Sequence, residues 1–154
     1  MTPQLLNLNI SNGGMPKLPI DEAKVSRDGV AGDWQKNRKY HGGPDQAICL
    51  FSDELYAWLR DDHGIDLQPG SVGENFTTRG IDLQSIQPGD RLRVGECLIE
   101  ITMVRTPCRN LDRWDNRLMG LMKGRSGWKA RVIEEGIVRA GDAIEHQKRQ
   151  GMSE

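Results

Sequence analysis

Long hydrophobic runs are missing from this 154-residue chain. No apolar stretch approaches the roughly 20 residues that cross a bilayer as a helix, which excludes a helical membrane span. The first residues, Met1 to Asn7, lack the positive segment and long apolar stretch of a secretory leader. Cysteine is scarce and odd in number: Cys49, Cys97 and Cys108, with no close pair, so neither a disulfide framework nor a redox dithiol is expected. Together these absences point to a reduced, cytoplasmic protein. The three histidines, His41, His63 and His146, have no metal-binding helical spacing. Phosphate-loop and dinucleotide fingerprints are absent as well. Nor does one sign of charge dominate, since 21 Lys and Arg face 22 Asp and Glu. That balance argues against a nucleic-acid-coating protein while leaving room for a local basic patch.

Glycine and proline are plentiful, at 18 and 7 residues. Helices tolerate such punctuation poorly, whereas short strands joined by tight turns require it. Length and the 36% hydrophobic content suit one domain, placed at residues 1–146 with a polar, frayed tail at 147–154. Leu5 to Ile10 reads as a first strand, with Leu6, Leu8 and Ile10 on one side and Leu5, Asn7 and Asn9 on the other. Gln46 to Phe51 reads as a strand buried on both faces. Ser52 caps a helix over Asp53–Asp61, with Asp53 and Glu54 in its first turn and Gly64 ending it. Gln68-Pro69-Gly70 and Gln87-Pro88-Gly89-Asp90 carry tight-turn chemistry. Glu96 to Val104 alternates, with Cys97, Ile99, Ile101 and Met103 on one face. Ser126 is placed to cap a second helix around Gly127–Glu135. Short strands without regular βαβ alternation predict a mostly-β fold: a closed or nearly closed antiparallel barrel with two or so short peripheral helices.

Cys108 is the most informative residue for chemistry. It follows a strand in Arg105-Thr106-Pro107-Cys108-Arg109, where proline stiffens the backbone presenting the sulfur. Arg105 and Arg109 bracket it, and nearby positive charge favours the thiolate, which is both nucleophile and metal ligand. A buried thiol acting as a small hydrophobe is the competing reading, and the preferred one for Cys49 and Cys97. Between Arg105 and Arg131 lie eight basic residues against only Asp112 and Asp115, an asymmetry that suits an anionic ligand. The distal ones, Lys123 to Arg131, read as a solvated face. His41-Gly42-Gly43-Pro44-Asp45 offers either an anion nest or a plain turn. Glu74 and Asn75, in Ser71-Val72-Gly73-Glu74-Asn75, offer polar groups at the head of a strand.

Taken together, these motifs resemble the MOSC domain, the C-terminal module of molybdenum cofactor sulfurases and its stand-alone bacterial relatives. The resemblance runs through Ser11-Asn12-Gly13-Gly14 with Pro16-Lys17, Gly29 to Asp33, His41 to Asp45, Gly73-Glu74-Asn75, Gly89-Asp90, Arg105 to Cys108, and Gly136 to Asp142. It implies a β-barrel core and makes Cys108 the functional cysteine, holding molybdenum of a pyranopterin cofactor or carrying sulfur. Arg105, Arg109, His41, Gly42, Gly43, Glu74 and Asn75 would then bind the cofactor. The resemblance further implies a molybdenum-dependent oxidoreductase that reduces N-hydroxylated small molecules, such as hydroxylamino base analogues, with electrons from a separate flavin-type reductase. The alternatives are a sulfur carrier loaded by a cysteine desulfurase as a Cys108 persulfide, and a cofactor-binding module without chemistry. No nucleic-acid or membrane partner is implied.

Overall fold

The computed structural model describes residues 2–34 and 43–149. Its strands are β1 (Gln4–Ile10), β2 (Leu18–Ile20), β3 (Glu22–Ser26), β4 (Gly29–Val30), β5 (Ile48–Ser52), β6 (Phe76–Arg79), β7 (Arg91–Val94), β8 (Cys97–Val104), β9 (Trp128–Glu134), β10 (Gly136–Arg139) and β11 (Ile144–Gln147). The helices are α1 (Asp53–His63) and the single turn α2 (Leu118–Leu121). Eight strands form one sheet in the order β11-β7-β8-β9-β5-β6-β1-β2, and β10, β3 and β4 form a second. The mostly-β expectation holds, but the large sheet is mixed, because β5 and β6 run parallel. No closed ring of paired strands is found among the described residues. Near its ends, an isolated bridge joins Gln4 to Ala143, and Leu5 N–H donates to the Asp142 carbonyl at 2.8 Å. No described helix is long and apolar enough to cross a membrane.

Helix α1 begins and ends where its caps dictate. Ser52 Oγ accepts the Leu55 N–H at 3.1 Å, and Gly64 closes it in the left-handed region at φ 66°. Two expectations need correction. Residues 128–134 are strand, not helix: Ala130 and Val132 are buried while Lys129 and Arg131 project to the other face, a period of two. Ser126 Oγ instead donates back to the Met122 carbonyl. In β1 the pairing shifts between Leu5 and Asn7, so Leu5 and Leu8, rather than Leu6 and Leu8, are fully buried. Of the residues read as a tail, 147–149 are described, and the Arg149 N–H donates to Asp90 at 2.9 Å.

Asp90 holds both His146 and Arg149. It is buried, takes the Gln87 N–H at 3.1 Å, and meets His146 Nε2 at 2.8 Å. Burial pushes its carboxyl up, but the His146, Arg149 and Gln87 bonds outweigh it, and the net shift is down. A lowered carboxyl stabilises the fold above the ordinary aspartate range and loses that contribution as pH falls through the lowered value. Asp90→Asn should cost about 1–3 kcal/mol at neutral pH. Urea denaturation of both proteins should show the gap closing in acid.

The core has two parts, on opposite faces of β5. Ile48 and Leu50 join the main cluster with Leu8, Phe76, Ile99 and Ala130. Phe51 turns the other way, into a second cluster with Tyr56, Val72, Leu111 and Met122. Alternation therefore places Cys49 on the outer face, with Phe51.

Candidate functional site

The thiol of Cys108 lies where the segment after β8 crosses that outer face. Arg105 starts the crossing: its N–H donates to the Gly127 carbonyl at 3.0 Å, and its Nη2 donates to the Val72 carbonyl at 2.7 Å. Cys108 is extended, and its carbonyl accepts the Leu111 N–H at 2.9 Å to open a short 3-10 turn over Arg109–Arg113. Trp114 Nε1 pins that turn by donating to the Ser71 carbonyl at 2.9 Å. The result is a small cleft walled by Met15, Val72, Arg105, Leu111, Met122 and Ser126, with Cys108 half-buried within it. Cys97, by contrast, is fully buried, and burial above all pushes its thiol up to about 12, as suits a core residue.

One cation lies in the wall of the cleft and a second lies outside its lining, on strand β9. Arg105 Nη1 is buried without a hydrogen-bond partner. Lys129 sits directly across from Cys49 in the β5–β9 pair, and its Nζ donates to Gln46 Oε1 at 2.5 Å. Burial pushes the Lys129 amine down; Arg105 adds to that, while Cys49 and Cys108 act in the opposite sense. Neither Cys49 nor Lys129 stands out in the sequence. The signal was the β alternation: read as a strand, residues 128–134 send Lys129 to the face that carries Cys49.

The other sequence-nominated residues divide. Arg109 is exposed at the start of the 3-10 turn, and Gly43 is exposed at φ 92° before Pro44–Gln46. His41 and Gly42 lie outside the described residues. Glu74 and Asn75 are fully buried and are not among the residues that line the cleft. Glu74 accepts from Tyr56 Oη, Thr77 Oγ1 and the Gly70 N–H. Asn75 Oδ1 accepts the Cys49 N–H at 3.0 Å, and its Nδ2 donates to Asp33 at 2.9 Å. Asp33 also pairs with the buried Lys17 at 2.7 Å and takes the Ser11 N–H at 2.9 Å. Several separated motifs of the sequence thus converge on one buried polar network that holds β5 and the wall of the cleft.

What fold and site define is a β domain that presents a half-buried thiol in a cleft walled in part by Arg105. This chain belongs to the MOSC domain family, whose sequence profile matches residues 37–145. It is 34% identical over 137 residues to protein YiiM of Escherichia coli strain K12, covering 84% of this chain and 61% of that protein. It is 31% identical over 137 residues to the uncharacterized protein YflK of Bacillus subtilis strain 168, covering 86% and 62%. The chain therefore spans about three fifths of the length of these curated relatives. A crystal structure of YiiM from Escherichia coli superposes with a TM-score of 0.77 at 26% identity, over 100% of this chain and 73% of that one.

Proposed function

We propose that this protein binds a molybdenum cofactor through Cys108 and reduces N-hydroxylated small molecules. The observation that carries this reading is Arg105, a wall residue of the cleft holding the Cys108 thiol, whose Nη1 is buried and has no hydrogen-bond partner among the described residues. A buried guanidinium nitrogen without an acceptor is costly, and an anionic group beside Cys108 would satisfy it. The donor set also fits the group the family implies. A thiolate is the soft ligand that molybdenum in a sulfur-rich setting accepts, and a guanidinium matches a phosphate.

In this reading Cys108 Sγ holds the metal, Arg105 orients the cofactor's anionic end, and Pro107 with the 109–113 turn fixes the sulfur's position. Met15, Leu111 and Met122 keep bulk water from the thiol. The bound cofactor supplies a two-electron centre able to take up oxygen. Converting R–NHOH to R–NH2 and water consumes two electrons and two protons, and the electrons come from a partner reductase of flavin type.

The test is reconstitution of purified protein with molybdenum cofactor, measuring bound metal per chain and turnover of an N-hydroxylated base with a supplied electron donor. Arg105→Ala should weaken cofactor retention about tenfold, the worth of one charged hydrogen bond. Metal without turnover would mark a binding module. No metal, with a persulfide on Cys108 after exposure to a cysteine desulfurase, would mark a sulfur carrier.

A further inference from the structure

Lys129 and Arg105 come from neighbouring stretches of backbone: Met103 opposes Lys129 in the β8–β9 pair, and Arg105, two residues further on, donates its N–H to the carbonyl of Gly127, two residues before Lys129. No carboxylate of the described residues lies within ion-pair range of either. Carboxylates are not scarce in this chain, which has 22, and it uses them where cations are buried or crowded. Lys17 is neutralised by Asp33, and Arg91 and Arg131 both pair with Glu100. At the cleft the pattern reverses. Arg105 bonds a carbonyl and Lys129 bonds the side-chain amide of Gln46, both neutral acceptors.

Position strengthens the contrast. Directly opposed residues in antiparallel strands hold their Cβ atoms about 4.5–5.5 Å apart, so the Lys129 side chain rises beside Cys49 on the outer face. Lys129 is half-buried there, where a positive charge interacts more strongly than in water. Burial and the repulsion from Arg105 both work against the ammonium form. An arrangement that holds two like charges together without an acid is stabilised when an anion enters.

We infer that Lys129, steadied by Gln46, is an anion-binding residue of the Cys108 cleft, facing an oxyanion from the sheet side while Arg105 faces it from the loop side. The ligand class is a small oxyanion or an oxyanion-bearing molecule. The inference goes beyond the proposed function and does not need molybdenum, since the cations alone carry it.

The experiment titrates the purified chain with inorganic phosphate at fixed ionic strength. Amide shifts at residues 127–130 give the affinity, and mass spectrometry follows alkylation of Cys108 and Cys49 by iodoacetamide. Phosphate should bind saturably and slow alkylation in the wild type. Lys129→Gln should weaken binding about tenfold and remove the protection, whereas Lys129→Arg should restore most of it. Lys24→Gln, at an exposed position of β3 in the second sheet, should behave as wild type. No saturable binding in the wild type, or equal affinity in Lys129→Gln, overturns the inference. Loss of phosphate binding equal in Lys24→Gln and Lys129→Gln also overturns it, as general charge screening. Phosphate binding that depends on Lys129, in a protein that retains no molybdenum, would keep the anion site and remove the molybdenum reading. Molybdenum retained at wild-type level by a Lys129→Gln variant that binds phosphate unimpaired would do the reverse.

Discussion

Cys108→Ser is expected to reduce retained molybdenum and N-hydroxyl reduction to background while leaving the melting temperature nearly unchanged. The two halves of this result have separate causes. The sulfur is half-buried in the cleft, and serine is close to its size, so the change in stability should stay within about 0.5 kcal/mol. The chemistry changes far more, because a hydroxyl is a hard, weakly acidic group that does not replace a thiolate on a soft metal. Cys97→Ser is the matched control. Its side chain is fully buried, so the new hydroxyl should cost about 1–3 kcal/mol while leaving metal binding intact in the folded fraction. Metal analysis and thermal denaturation of both variants decide the matter. If Cys108→Ser unfolded as readily as Cys97→Ser and kept its metal, Cys108 would be a packing residue.

Local chemistry explains which parts of this architecture are legible in the sequence. Helix α1 is, because its start is fixed by a side-chain cap and its end by Gly64, both determined within a few residues. The placement of Cys108 just after a strand is too: β8 ends at Val104, and Cys108 opens the turn over Arg109–Arg113. Strand β9 is not. Ser126 followed by mixed apolar and basic residues fits a capped helix as well as a strand, and the choice is made by long-range pairing with β5 and β8. The shift in β1 is equally non-local, since only its pairing with β6 moves Leu5 onto the buried side. Reading β9 as helix also hid Lys129, because a helical period does not place it opposite Cys49. Glu74 and Asn75 were conspicuous as polar residues at a strand head, yet sequence does not tell a side chain aimed at a ligand from one aimed into the scaffold. Their partners, Tyr56, Gly70, Thr77 and Asp33, lie up to 42 residues away.

Glu74→Leu is expected to cost about 3–5 kcal/mol, because the Tyr56 O–H, Thr77 O–H and Gly70 N–H all lose their acceptor in the interior. Against a typical domain stability of roughly 5–15 kcal/mol, that loss is large enough to deplete folded protein. Glu74→Gln separates charge from shape. Burial is the main influence on this carboxyl and pushes it up; the bonds from Gly70, Tyr56 and Thr77 restrain the rise without cancelling it. A raised carboxyl stabilises the fold fully below the ordinary glutamate range, and that contribution is lost as pH climbs through the raised value. The wild type should therefore lose stability relative to Glu74→Gln between acid and neutral pH. Urea midpoints across that range read the difference directly, and parallel curves would show that Glu74 does not titrate in the fold. The consequence reaches the cleft through bonded steps. Tyr56 Oη, held by Glu74, accepts the Val72 N–H, and the Val72 carbonyl accepts Arg105 Nη2. Folded Glu74→Gln protein should accordingly hold Arg105 less firmly and retain cofactor less well.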